Sequence, residues 1–288
     1  MDAVVLGIAG GALFGAMTVA VRWALVRGAD PVLGAFVVAS VGLAVALVLA
    51  LPTTFAAVPL ADLWPFAAIG ALVPGLSQVV FVYAVEGAGP SRAAILVGTA
   101  PLLSVVLALA FLDEPFEPAL LVATGLVVAG GAVLATERRR PTGFRLLGVL
   151  LALACAALFA LRDNAVRWAS RDVDVPPLQA TVASLAAAAA ATGLFVLVTR
   201  RGSAWILLRA ALPAFAPAGI LLGLAYAALV TAFDRGRVGI VAPLNATQSL
   251  WGIVLAALVV GRAEAIGRRT VIAGVLVVAG AALVSAVR

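Results

Sequence analysis

Long apolar runs fill the chain from Ala3 onward, interrupted at short intervals by Pro, Gly and small clusters of charge. A helix that crosses a bilayer needs about 20 apolar residues, and Pro, Gly and charge mark where one run stops and the next begins. Divided this way, the sequence predicts ten transmembrane helices over residues 3–25, 31–51, 63–85, 91–112, 117–136, 146–169, 176–199, 212–233, 238–260 and 268–287. Gly7, Gly11 and Gly15 on the first span, and Gly219 and Gly223 on the eighth, stand four residues apart. They predict close helix approach in lipid, where packing rather than the hydrophobic effect drives association.

The pattern repeats. Ala12-Leu13-Phe14 and Ala20-Val21-Arg22-Trp23-Ala24 recur 145 positions later as Ala157-Leu158-Phe159 and Ala165-Val166-Arg167-Trp168-Ala169. The third and fourth spans map onto the eighth and ninth with an offset of about 148, pairing Glu86 with Asp234, and Gly125 and Gly131 match Gly274 and Gly280. Three matches in the same order argue for a duplicated five-helix unit, residues 1–140 and 141–288. Five is odd, so two fully traversing copies are inserted upside down relative to each other. The expected fold is an all-α integral membrane protein with two inverted five-helix repeats around a central cavity.

Composition removes several alternatives. The chain has 288 residues, 65% apolar and 11% charged, against about 25% charged in a soluble domain, so its solvent is mostly lipid. The net charge of +6 comes entirely from Arg, clustered between apolar runs as topology marks rather than along a basic groove, so no nucleic-acid partner is expected. There is no His, and the single Cys155 lies in an apolar run. Metal sites and imidazole proton relays therefore lack their usual ligands, and no metal or cofactor is expected. An intramembrane enzyme, which needs a nucleophile with its base or a metal cluster, is a distant alternative for the same reason. Met1-Asp2 lacks the basic n-region of a signal peptide, so the first span is expected to be kept.

Alternate loops carry 13 Arg on one side, including Arg27, Arg92, Arg138 and Arg200, and 5 on the other, including Arg171, Arg235 and Arg237. The positive-inside rule puts the richer side in the cytoplasm and both termini outside. Trp64 and Trp205, next to loops, read as interfacial anchors.

The segment Phe81 to Ala135 contains Tyr83-Ala84-Val85, Ala93-Ala94, Pro101-Leu102-Leu103, Leu112-Asp113-Glu114-Pro115, and Gly125 followed by Gly131. It resembles the EamA-type repeat of the drug/metabolite transporter superfamily, in which a helix with a mid-span Pro ends in an L-G-E-like turn and a glycine-bearing helix follows. The second half, with Pro243 and then Gly261 to Glu264, resembles a degraded copy, its turn interrupted by Arg262 and Ala263. The first helix has Phe14-Gly15 where the family usually has Trp-Gly. The resemblance implies a multi-pass protein of a bacterial inner membrane, functional as one chain, that exports a small metabolite through a central cavity. It points to the branch that exports aromatic amino acids and related compounds.

Polar groups inside spans mark cavity or partner contacts. Arg162-Asp163-Asn164 in the sixth span is the strongest such group: Arg162 and Asp163 are gating or coupling candidates and Asn164 a substrate contact, with an internal pair of Asp163 and Arg167 (i,i+4) as the structural alternative. Gln78 and Tyr226 occupy matching repeat positions and are expected to line the cavity or bond between helices, with Tyr83 nearer the end of its span. Asn245, Gln248, Ser249 and Gly252 are spaced as one helical face, with Trp251 close by, and read as a wet wall. Pro101 and Pro243 are candidate hinges in the fourth and ninth spans. A proton-driven cation antiporter needs a carboxylate deep in the membrane, and the sequence offers only off-centre Asp163. The expected activity is facilitative export of amino acids by alternating access, with proton-coupled drug or cation antiport as the alternative.

Overall fold

The computed structural model describes residues 2–52, 58–88, 96–97, 99–135, 146–200, 204–248, 250–252, 254–255, 272–277, 279–280 and 283. Ten named helices carry the described fold: α1 (Ala3–Val26), α2 (Pro31–Ala50), α3 (Trp64–Gly70), α4 (Ser77–Ala88), α5 (Ala100–Phe111), α6 (Pro118–Ala135), α7 (Leu146–Asp172), α8 (Pro177–Thr199), α9 (Ala204–Arg235) and α10 (Val238–Asn245). Among the described residues there is no strand. Their starts follow from the sequence. Asp2 caps α1 through Val4 N at 3.1 Å, and Asp30 caps α2 through Val32 N at 2.8 Å and Leu33 N at 3.2 Å. Pro31, Pro101 and Pro177 stand in the first turns of α2, α5 and α8, where a missing N–H leaves no helical bond unmade.

Among the described residues, six helical stretches are long and apolar enough to cross a membrane: Ala3–Leu25, Pro31–Ala50, Trp64–Phe81, Leu146–Asp172, Pro177–Thr199 and Leu208–Arg235. Ala100–Phe111 and Pro118–Gly130 are apolar but shorter. The protein is thus all-helical where described and multi-pass. The expected starts and ends of the fourth, ninth and tenth spans lie partly outside the described residues, as does the Gly261 to Glu264 turn.

Three departures from the sequence reading have physical causes. The third span is not one helix: Val73 adopts an extended conformation (φ −142°, ψ 113°), the Val73–Pro74 peptide is cis, and a π-helical stretch, Ala71–Leu76, separates α3 from α4. The ninth span is interrupted by a turn at Ala246 and Thr247, three residues beyond Pro243, where Thr247 N and the Thr247 hydroxyl both donate back to Leu244 O. The helix of the expected eighth span, α9, starts at Ala204 rather than near 212 and runs through Pro213 and Pro217, as membrane helices tolerate when neighbours satisfy the freed backbone.

Close packing on glycine sets the layout. α1 lies against α9 and α10, α9 against α2, α2 against α8, α8 against α3, α7 against α4 and α5, and α5 against α10. A Cβ on Gly15 would fall 2.7 Å from Gln248 O, and one on Gly223 would fall 2.7 Å from Gly42 O. In both places helix backbones touch where any side chain would hold them apart.

Polar ties mark the two ends. At one end Glu114 accepts from Val238 N (2.6 Å) and Gly239 N (3.1 Å), Glu117 pairs with Arg237 (2.7 Å), and Arg171 donates to Leu112 O (3.0 Å). At the other, Arg200 pairs with the capping Asp30 at 2.6 Å.

Candidate polar site between the fourth, sixth and eighth spans

α7 delivers three consecutive polar side chains into the helix bundle. Arg162 Nε and Nη2 both donate to Asp163 Oδ1, at 2.9 and 2.7 Å. Ser104 on α5 donates to the other oxygen, Asp163 Oδ2, at 2.9 Å. Asn164 Nδ2 donates to Ser104 O (3.0 Å) and Ala160 O (2.9 Å), while its Oδ1 is buried without a hydrogen-bond partner. The side chains of Arg162 and Asp163 retain 10% and 7% of their exposure, so the pair is well withdrawn from solvent. A buried ion pair survives when further hydrogen bonds satisfy its remaining lone pairs, and Ser104 supplies one here.

The pair that forms is not the one expected within the helix. Arg167, four residues after Asp163, turns away and donates from Nη1 to Phe233 O (2.9 Å) and Asp234 O (2.8 Å). Those carbonyls close α9, where the helix lacks its own donors and its dipole attracts a cation. Arg162 is then left as the guanidinium that compensates Asp163.

Next to this cluster lies the break in the third span. Tyr226 on α9 is 1% exposed, and its hydroxyl donates to Val73 O at 2.9 Å. The break frees that carbonyl from the helix ladder, and Tyr226 satisfies it, an interhelical bond of the kind a discontinuous membrane helix requires. Val73 and Arg162 both line a half-open groove between α3 and α7, with a volume of about 180 Å³.

The remaining candidates are distributed. Gln78 is half-buried one residue into α4, and Tyr83 on the same helix is 52% exposed. Asn245 is buried at the end of α10, its Oδ1 without a partner and facing Gly10 of α1, where a Cβ would lie 3.5 Å away. Gln248, Trp251 and Gly252 follow the interruption at Ala246 and Thr247 and abut Gly15. Asn245 and Gln248 therefore do not share one continuous helix, and their segments pack on the glycine face of α1. Ser249 lies outside the described residues. Pro101 sits in the first turn of α5 after a turn at Thr99, so it interrupts no helical bond, whereas Pro243 lies inside α10. Trp64 is exposed at the start of α3; the side chain of Trp205 lies outside the description. Ser104 and Val73 were missed by sequence reading. Pro74-Gly75 inside an apolar run was the available signal for the break, while a lone Ser104 gives none.

Glu114 explains the L-G-E-like turn. Its carboxylate sits at the N-terminus of α10 and accepts two of the backbone N–H groups that have no helical partner. Asp113 occupies the place of the turn's glycine at φ 51°, a left-handed conformation that Asp tolerates better than most residues.

Among the described residues the chain is all-helical and multi-pass, with a discontinuous span and an ionic cluster between its helices, which places it in the class of polytopic membrane proteins. The profile of the EamA-like transporter family matches residues 1–136 and 146–286. The chain belongs to that family, within the drug/metabolite transporter superfamily. A solved crystal structure is similar over 99% of this chain and 96% of its own, at 23% identity and a TM-score of 0.79, which shows a shared fold. No curated protein matches the chain.

Proposed function

We propose that this EamA-family protein is a secondary transporter that exports amino acids, aromatic or hydrophobic ones, by alternating access and without proton coupling. The observation that carries the uncoupled mechanism is the state of Asp163, the carboxylate farthest from a helix end among the described residues of the spans. Exchange of a proton for a cationic cargo requires a carboxylate free to meet both. Asp163 is instead held by Arg162 and Ser104. A neutral or zwitterionic cargo leaves such a pair intact.

The same reading takes the chain as ten spans in two inverted five-helix repeats. Helix partners support it. α1 against α9 is mirrored by α7 against α4, α9 against α2 by α3 against α8, and α1 against α10 by α7 against α5, while the contacts α2–α8 and α5–α10 map onto themselves. The Arg-rich side, which includes the Asp30–Arg200 tie, is placed in the cytoplasm of a bacterial inner membrane, and one chain suffices for transport.

The test is counterflow of labelled amino acids from liposomes holding the purified protein. Downhill flux without an imposed pH difference is the expected result. Strict dependence on that difference, abolished by Asp163→Asn, would overturn the uncoupled reading in favour of proton-driven antiport. Orientation is read separately, by labelling single cysteines placed at Gly28 and Asp174 with an impermeant maleimide in a Cys155→Ala background. Labelling of the Gly28 position from outside intact cells would reverse the assigned topology.

A further inference from the structure

We propose that the groove between α3 and α7 is a binding site for hydrophobic monocarboxylates, a single aromatic ring or short acyl chain bearing one acid group, entered sideways from the bilayer. This stands apart from the transport reading above, which concerns the passage through the bundle.

Three features define the ligand. The first is size: the groove encloses about 180 Å³, and a cavity of about 150 Å³ accommodates benzene, so one ring or a chain of similar bulk fits. The second is the wall, built from apolar side chains that include Trp64, Leu72, Leu158, Leu161 and Trp168. The third is Arg162, the one charged residue among those lining the groove. Two of its nitrogens are committed to Asp163, and Nη1 has no hydrogen-bond partner among the described residues. A guanidinium with free donors in a fixed plane suits a carboxylate. Asp163 compensates the charge while the groove is empty, so the site exists without an unpaired buried cation. Asp163, its side chain 7% exposed, is not among the residues that line the groove, so a cationic ligand finds no equivalent partner there.

The direction of entry follows from the exposed faces. Leu146, Leu150, Leu153, Leu161 and Trp168 are all exposed and fall on one side of α7 at helical spacing. On α3 and the stretch after it, Trp64, Leu72 and Leu76 form the corresponding exposed row. Apolar from end to end, these faces are the lipid-facing surface of a membrane helix pair, and the groove runs between them.

The test uses the full chain in nanodiscs of neutral phosphatidylcholine, with tryptophan fluorescence read against 4-bromobenzoate and its uncharged methyl ester. Saturable quenching by the acid, with an apparent affinity about tenfold or more above the ester's, is expected, and Trp64→Phe with Trp168→Phe should remove most of it. Arg162→Lys, which keeps the charge beside Asp163 but loses the planar donors, should weaken acid binding several-fold. The double variant Arg162→Met/Asp163→Leu, which leaves no unpaired charge, should erase the difference between acid and ester. In separate discs of lipid brominated on the acyl chain, Trp64 and Trp168 should be quenched without added acid. Equal quenching by acid and ester would overturn the proposal. So would discrimination that survives the double variant, absence of quenching by brominated lipid, or displacement of the acid by anionic phosphatidylglycerol, which would assign the groove to a lipid headgroup.

Discussion

Replacing Asp163 by Leu removes both hydrogen bonds from Arg162 and the one from Ser104, leaving a guanidinium with 10% of its exposure and no counter-charge. Removing one partner of a buried pair costs about 3–5 kcal/mol, whereas replacing both by apolar groups of similar volume is close to neutral. Bonds between membrane helices run weaker, averaging about 0.6 kcal/mol, which favours the lower end, near 3 kcal/mol. In a chain of this size about 1 kcal/mol moves the melting temperature by roughly 2–4 °C, so Asp163→Leu should lower it by about 6–12 °C. The double variant Arg162→Met/Asp163→Leu should return to within about 3 °C of the parent. Heating the detergent-purified protein and following its monodisperse peak by size-exclusion chromatography measures all four corners of the cycle. Additive effects of the two single substitutions would refute the coupling inferred from the geometry. So would an Asp163→Leu variant as stable as the parent.

Four further outcomes follow from single contacts. Glu114→Ala removes the carboxylate from two backbone N–H groups at the start of α10 and should cost about 1–2 kcal/mol, seen as a lower melting temperature; Glu114→Gln should cost less. Asp113→Gly relieves a side chain held at φ 51° and should raise the melting temperature by a few degrees, equivalent to about 0.5–1 kcal/mol. Tyr226→Phe leaves Val73 O without its donor and should destabilise by about 1 kcal/mol; an unchanged melting temperature would show that the carbonyl finds another partner. Gly70→Ala drives a methyl into the backbone of Ser184 and should abolish the monodisperse peak, whereas Gly125→Ala, with nothing within 4 Å, should leave it intact.

The long helices were legible because lipid makes the rule simple. Runs of apolar residues bounded by Asp30-Pro31 or Pro176-Pro177 can only start a helix there, and the glycine rows on α1 and α9 can only be of use where backbones meet. The polar interior was harder to read. Sequence spacing favours Arg167 as the partner of Asp163, since both stand on one helix face, yet the open carbonyls at the end of α9 attract Arg167 more strongly and Arg162 takes its place. Ser104 becomes important only because α5 packs on α7, a long-range contact that no local pattern announces. A wet wall through Asn245 and Gln248 requires unbroken helical periodicity from one to the other, and the turn at Ala246 and Thr247 interrupts it.

The two halves diverge where the ionic cluster stands. Set back by the 145-residue offset of the matching motifs, Arg162, Asp163 and Asn164 correspond to Met17, Thr18 and Val19 on α1. Thr18 turns its hydroxyl onto Phe14 O of its own helix at 3.0 Å, a bond that ties it to no neighbour. Asp163 reaches instead across to Ser104, and Asn164 to the carbonyl of the same residue. α1 meets its partners through glycine and backbone, while α7 meets α5 through charge and amide. A packed glycine face resists separation by many small contacts, each lost gradually as helices move apart. An ion pair with fixed hydrogen bonds is either made or broken. Under the alternating-access reading proposed above, relative motion of the halves would register at α5 and α7 as a discrete change, so the charge-free double variant Arg162→Met/Asp163→Leu should alter transport while its melting temperature stays near the parent's.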